Sequence, residues 1–206
     1  MTLARAFATV GAAVGWVALD LQLVALHINA AARGVAFGTA TVNYFSYFTI
    51  LSNVLAALVL SAFALDRGSF LRRPAVSAAV AIYMAFTGVV YFTILRHIWN
   101  PQGLDWLADT LLHYVMPVAY VLFWLWVAPK TGLGLRHVWI WLAFPVLYTG
   151  YSLVRGAAMG FYPYAFIDVG TLGYAAVFRN AALLTICFAA LGAAVVGTVR
   201  IVSRAD

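Results

Sequence analysis

The sequence predicts an all-α polytopic membrane protein, six transmembrane helices in one bundle, and three observations predict it. The chain of 206 residues is 66% hydrophobic and 9% charged, with a mean hydropathy of +0.98, well above what a soluble globule of this size carries. Its apolar residues gather in runs of about 20, the length an α-helix rising about 1.5 Å per residue needs to cross about 30 Å of hydrocarbon. Its basic residues are scattered among the short segments between those runs, as membrane topology requires.

The runs fall at about 6–28, 44–65, 75–95, 107–128, 137–159 and 175–199, separated by segments containing Gly, Pro, Asp or Arg. The first follows Arg5 and leads to Ala30-Ala31-Ala32, which imitates a signal peptide and its cleavage site. It is too long for a signal h-region and counts as the first span. Arg5, Arg67, Arg72, Arg73, Lys130, Arg136, Arg200 and Arg204 fall on one side of the six-span layout, against Arg33, Arg96, Arg155 and Arg179 on the other. The positive-inside rule assigns the richer side to the cytoplasm, which puts both termini there and the protein in the cell membrane as a multi-pass chain. The fifth connection then faces outward, and its Phe161-Tyr162-Pro163-Tyr164 run suits an interfacial aromatic belt. No linker or composition shift divides the chain, so residues 1–206 are expected to form a single domain. Tyr47-Phe48-Thr49-Ile50-Leu51 recurs as Tyr91 to Leu95, with no wider symmetry between halves.

The net charge of +6 does not point to nucleic acid, because no basic patch is interleaved with stacking aromatics. Arginine outnumbers lysine eleven to one and every acid is aspartate, a compositional bias without mechanism. The single cysteine, Cys187, lies in an apolar run, so neither an intrachain disulfide nor a thiol cluster for a metal can form. No metal and no cofactor are expected.

Polar groups inside a membrane cost free energy, so each demands a reason. With the N-terminus inside, Asp20, His27, Ser46, Thr49, Ser52, Asn53, Thr87, Tyr91, Asp109, His113, Tyr151, Arg155, Arg179 and Asn180 all fall in the outer half of their spans. The inner half is nearly pure Ala, Leu, Val, Phe and Trp, and the asymmetry predicts a polar cavity facing outward. Ser46, Thr49 and Asn53 are spaced i, i+3, i+7 on one helix face, and Asp109 and His113 are spaced i, i+4 on another. Counted from Tyr44, Thr49 lies about 7.5 Å into the membrane, and His113 is at a similar depth counted from Leu107. A hydroxyl and an imidazole at one depth permit acyl transfer. Threonine becomes a nucleophile when a neutral imidazole takes its proton, which would make His113 the base. Asp109 could hold the tautomer of His113, as the acid of a triad does, while Asn53, Asn180 or Arg179 could donate to the developing oxyanion.

Each residue also has an architectural reading. Thr and Ser in membrane helices commonly bond back to the carbonyl one turn earlier. His113 and Asp109 could pair simply to hold helices together, and Asp20 could pair with Arg155, Arg179 or a tyrosine. Three rival functions follow from the same residues. A proton-coupled transporter of small molecules or lipids would line its pathway with Asp20, His113 and Arg179, although polar residues should then continue into the inner half. A b-type haem protein would draw axial ligands from His27, His97 and His113. The third is a membrane scaffold without catalysis.

Tyr47-Phe48-Thr49-Ile50-Leu51-Ser52-Asn53, then Leu111-Leu112-His113 before Pro117, then Tyr162-Pro163-Tyr164 with Phe166 and Asp168 resemble, in order, a bacterial branch of the androgen-induced membrane protein family. The resemblance covers nearly the whole chain, including its six-span layout. Eukaryotic members are integral membrane hydrolases of fatty acid esters of hydroxy fatty acids that use an intramembrane threonine and histidine. The resemblance therefore implies an esterase with Thr49 as nucleophile and His113 as its partner, and it favours Thr49 over Thr93, which the internal repeat leaves open. In such a lipid the ester lies partway along an acyl chain. A free carboxylate held at the outer interface by Arg96 or Arg155 would leave the ester several ångströms deep, near Thr49. The expected partners are the lipid ester and the bilayer.

Overall fold

The computed structural model describes residues 2–68 and 70–205, with side chains through Arg200. The side chain of Arg204, counted above toward topology, lies outside the described residues. The described chain is helical throughout, without strands. Its helices are α1 (Leu3–Ala32), α2 (Phe37–Tyr44), α3 (Phe48–Ala64), α4 (Pro74–Thr93), α5 (Leu104–Thr110), α6 (Met116–Trp126), α7 (Arg136–Met159) and α8 (Val169–Ala205). Five of the helical stretches, Leu3–Ala32, Pro74–His97, Leu104–Trp126, Arg136–Met159 and Val169–Arg200, are long and apolar enough to cross a membrane. A sixth is reached if α2 and α3, bent by 70° at their junction, count together. The chain divides into two compact units, residues 1–131 and 132–206.

In the first unit the expected continuous span over 44–65 is broken. Tyr47 is extended (φ −86°, ψ 131°) and α3 starts anew at Phe48. No Gly or Pro marks the turn. Ser46 Oγ instead donates to Val42 O at 2.6 Å, and the Tyr44 hydroxyl donates to Leu19 O at 2.8 Å, tying the end of α2 to α1. Ala18, Leu19, Tyr44, Ile50, Ala57 and Leu112 form a buried cluster that joins α1, the α2–α3 bend and the segment after α5. Small residues let these helices approach closely. A Cβ added at Gly15 would meet Met116 Cε at 2.8 Å, and one at Gly88 would meet Pro117 Cβ at 3.1 Å.

Between α5 and α6 the helix widens into a π turn, Leu111–Val115. Pro117 accounts for it. Proline has no N–H for the carbonyl of residue 113 and its ring crowds that carbonyl, so the preceding turn opens instead of closing in α geometry. After α6, the ammonium of Lys130 donates to Ala128 O at 3.0 Å and lies 5.3 Å from the Trp124 ring centroid. Burial there pulls its pKa below the ordinary lysine value.

In the second unit α7 ends at Gly160, whose left-handed φ of 68° closes the helix. The Tyr162 ring folds back into the notch at Gly156, where any Cβ would fall 1.9 Å from it. Asp168 caps α8, accepting from Thr171 N at 3.2 Å and from Thr171 Oγ1 at 2.9 Å. Within α8, Gly173 (φ 74°, ψ 159°) interrupts the helical backbone, which sets the start of the uninterrupted helix near the expected 175.

Candidate active site

The break before α3 decides the setting of Thr49. Depth counted along one helix from Tyr44 does not apply, because the chain turns at residues 45–47 and Thr49 falls in the first turn of a new helix. There the partial positive charge of the peptide dipoles is concentrated. Thr49 is 6% exposed. Ser46, expected on the same stripe, belongs to the bend, whereas Thr49 and Asn53 remain one turn apart on α3.

His113 sits in the middle of the π turn, half-buried, with Nε2 3.2 Å from Thr49 Oγ1. Its Nδ1 lies 3.1 Å from Asp109 Oδ1 and 3.1 Å from Asp109 O. Both of these partners are acceptors when the carboxyl is ionised, so the hydrogen belongs on Nδ1 and the lone pair of Nε2 faces the threonine hydroxyl. Asp109 is itself held: the Tyr91 hydroxyl donates to its Oδ2. The Tyr91 ring also stacks on the imidazole, centroids 4.1 Å apart at 20°. One tyrosine thus holds both the Asp109 carboxylate and the plane of the His113 ring. The sequence named Tyr91 only as a polar residue of α4, and nothing in its spacing announces the pairing.

Asn53 is wholly buried, and its amide nitrogen lies 2.8 Å from Thr49 O and 3.2 Å from Leu112 O. Two carbonyls engage the two amide hydrogens that an oxyanion would need. Ser52 Oγ lies 3.1 Å from Thr87 Oγ1, adding a bond between α3 and α4. Thr93, in the second copy of the repeated pentapeptide, is exposed and bonds back to Val89 O at 2.7 Å. A second threonine–histidine pair exists at Thr41 and His27, 3.2 Å apart, with the His27 ring stacked on Phe37. Thr41 gives its hydrogen to Phe37 O at 3.0 Å, so there the ring nitrogen donates and the hydroxyl is not activated.

Arg96 follows α4 in a short 3-10 turn, its guanidinium 3.9 Å from the Phe92 ring centroid and its Nε 3.4 Å from His97 Nε2. With Tyr91, Asn100, Trp106, Asp109 and Tyr114 it lines an open cavity of about 370 Å³. The cavity reaches the constellation at Tyr91 and Asp109, and neither His113 nor Thr49 lines it. The remaining candidates belong to the second unit. Asn180 donates to Phe166 O at 2.9 Å, Arg155 lies over the Phe161 ring with 4.5 Å to its centroid, and Arg179 is exposed on α8. Among the described residues no group of three or more His, Cys, Asp and Glu side chains gathers in a metal-binding arrangement.

No family model, curated protein or solved structure matches this chain.

Proposed function

We propose that the protein is a multi-pass membrane hydrolase of lipid esters, with Thr49 as nucleophile and His113 as general base, and that its substrates are fatty acid esters of hydroxy fatty acids. The observation that carries the reading is the pairing of Thr49 Oγ1 with His113 Nε2 at 3.2 Å, on a ring whose Nδ1 bonds to Asp109 O at 3.1 Å with the Asp109 carboxylate Oδ1 3.1 Å from the same nitrogen. It has the order of a nucleophile–base–orienter triad. The likeness to the androgen-induced membrane proteins supports the same two residues.

In the first half-reaction Thr49 Oγ1 attacks the ester carbonyl carbon while Nε2 takes the hydroxyl proton. Asp109 stabilises the imidazolium, and the N-terminal end of α3 favours the negative charge on the carbonyl oxygen. Collapse of the tetrahedral species breaks the bond to the alcohol oxygen, which takes the proton from Nε2 and leaves as the hydroxy fatty acid. Water then attacks the acyl-threonine, Nε2 accepts its proton, and the same proton returns to Thr49 as the fatty acid departs. Arg96, on the rim of the cavity that Asp109 lines, is suited to the free carboxylate of the substrate. Arg155 serves the same charge in the sequence reading, as Arg179 and Asn180 serve the oxyanion.

In this reading the six spans, with α2 and α3 counted as one, form a single bundle in the cell membrane with both termini cytoplasmic. The purified protein hydrolyses a branched fatty acid ester, and Thr49→Ala and His113→Ala each reduce turnover by a factor of about 10³ or more. Unchanged turnover in both variants overturns the assignment. A proton-coupled carrier would use the buried His113–Asp109 pair instead, and uptake into proteoliposomes without hydrolysis is the result that favours it.

A further inference from the structure

The π turn leaves one carbonyl that helix geometry cannot satisfy. The Met116 N–H reaches back five residues to Leu111 O, so it is turned away from Leu112 O, its acceptor in an α-helix. A π turn would instead bring the N–H of residue 117 to Leu112 O, and residue 117 is proline. Leu112 is 1% exposed, so bulk water does not substitute. The donor comes from another helix: Asn53 Nδ2, 3.2 Å away on α3. The same nitrogen donates to Thr49 O at 2.8 Å. Both neighbours are carbonyl oxygens, which fixes the amide with its nitrogen toward them. Asn53 Oδ1 is left buried without a partner, a penalty that a residue present only to fill space would not incur.

We infer that Asn53 is a positioning residue, whose amide stands in for the N–H that Pro117 lacks and ties the backbone of Thr49 to the backbone beside His113. One bond ends on the nucleophile's own carbonyl and the other on the residue preceding the base, so the two reacting groups share a single rigid tether. The catalytic half of this inference rests on the hydrolase reading, whereas the tether itself does not.

A double-mutant cycle on the full-length protein in detergent tests it, using Asn53→Leu, which keeps the branching and number of heavy atoms and removes the donor, and Pro117→Ala, which restores an N–H at residue 117. The readouts are the thermal unfolding midpoint and the rate at which a fluorophosphonate probe labels Thr49. In the native background Asn53→Leu lowers the midpoint by about 2 to 4 °C or more and slows labelling about a hundredfold. In the Pro117→Ala background the same substitution lowers the midpoint by less than half as much, because the backbone now supplies the donor to Leu112 O, from residue 117 where the π turn is kept and from residue 116 where it relaxes to α geometry. A midpoint loss equal in both backgrounds overturns the inference, since packing alone gives additive effects. Coupled midpoints with no labelling of Thr49 in any variant uphold the tether and remove the hydrolase reading. Should Asn53→Leu fail to fold, Asn53→Ser, with one shorter donor, runs the same cycle.

Discussion

Asp109 meets the imidazole twice, its backbone O pairing with Nδ1 and its Oδ1 lying 3.1 Å from the same nitrogen, while its Oδ2 accepts from Tyr91; in the hydrolase reading this directs the lone pair of Nε2 at Thr49. Asp109→Asn leaves the backbone O that pairs with Nδ1 and removes the negative charge 3.1 Å from the ring, so the imidazolium formed on proton transfer loses its counter-charge. Turnover should fall by a factor of about 10² to 10⁴ while substrate affinity changes little, which steady-state kinetics of the purified variant measures as a kcat effect. Tyr91→Phe keeps the ring on the imidazole and strips the hydroxyl from Asp109, leaving a buried carboxylate oxygen unpaired. It should cost about 1.5 to 3 kcal/mol of stability, read from unfolding in detergent, together with a smaller loss of rate than Asp109→Asn. The neighbourhood of Thr49, His113 and Asp109 was legible in part: the i, i+4 spacing sets Asp109 beside His113, and the shared outer layer of polar residues sets both near Thr49. Tyr91 and the tether through Asn53 were not, because a pairing between side chains on different helices leaves no periodic trace in either one.

The helices themselves were legible from their apolar length, and the departures from regular helix were not. The bend at residues 45–47 carries no Gly or Pro; it depends on Ser46 bonding back to Val42 and on Tyr44 reaching across to α1, both of them contacts rather than propensities. The π turn is different, since Pro117 signals a disturbance four residues downstream of His113 without saying whether the helix kinks, ends or widens. That widening is what aims His113 at Thr49. Pro117→Ala lets residue 117 donate again and the turn relax to α geometry, which shifts the register of the π segment by one residue and swings the ring of His113 by about 100°. The variant should therefore unfold at a temperature equal to or above that of the native protein, yet label at Thr49 at least tenfold more slowly with a fluorophosphonate probe. Gain of stability with undiminished labelling would show that the π turn has no part in aligning the pair.

At the scale of the whole molecule the hydrolase reading requires that the polar constellation open toward the outer face, so that a lipid carboxylate at that interface meets Arg96 while its ester reaches Thr49. The sequence argues for this through its basic residues alone: Arg67, Arg72, Arg73, Lys130 and Arg136 cluster at connections two and four, and Arg96 follows α4 at connection three. Each side chain of this kind contributes only a weak preference, and orientation follows from the sum, so no single substitution tests it. Accessibility does. With Cys187 replaced by serine, the chain has no other thiol, and Gln102→Cys and Thr131→Cys place single probes at exposed positions in connections three and four. In intact cells a membrane-impermeant maleimide should label the residue-102 variant and spare the residue-131 variant until the cells are permeabilised. The reverse pattern would put Arg96 and the Asp109 cavity on the cytoplasmic side. The chemistry at Thr49 could then survive, but its substrate would have to be drawn from the inner leaflet, and Arg96 would meet the headgroups of that leaflet instead.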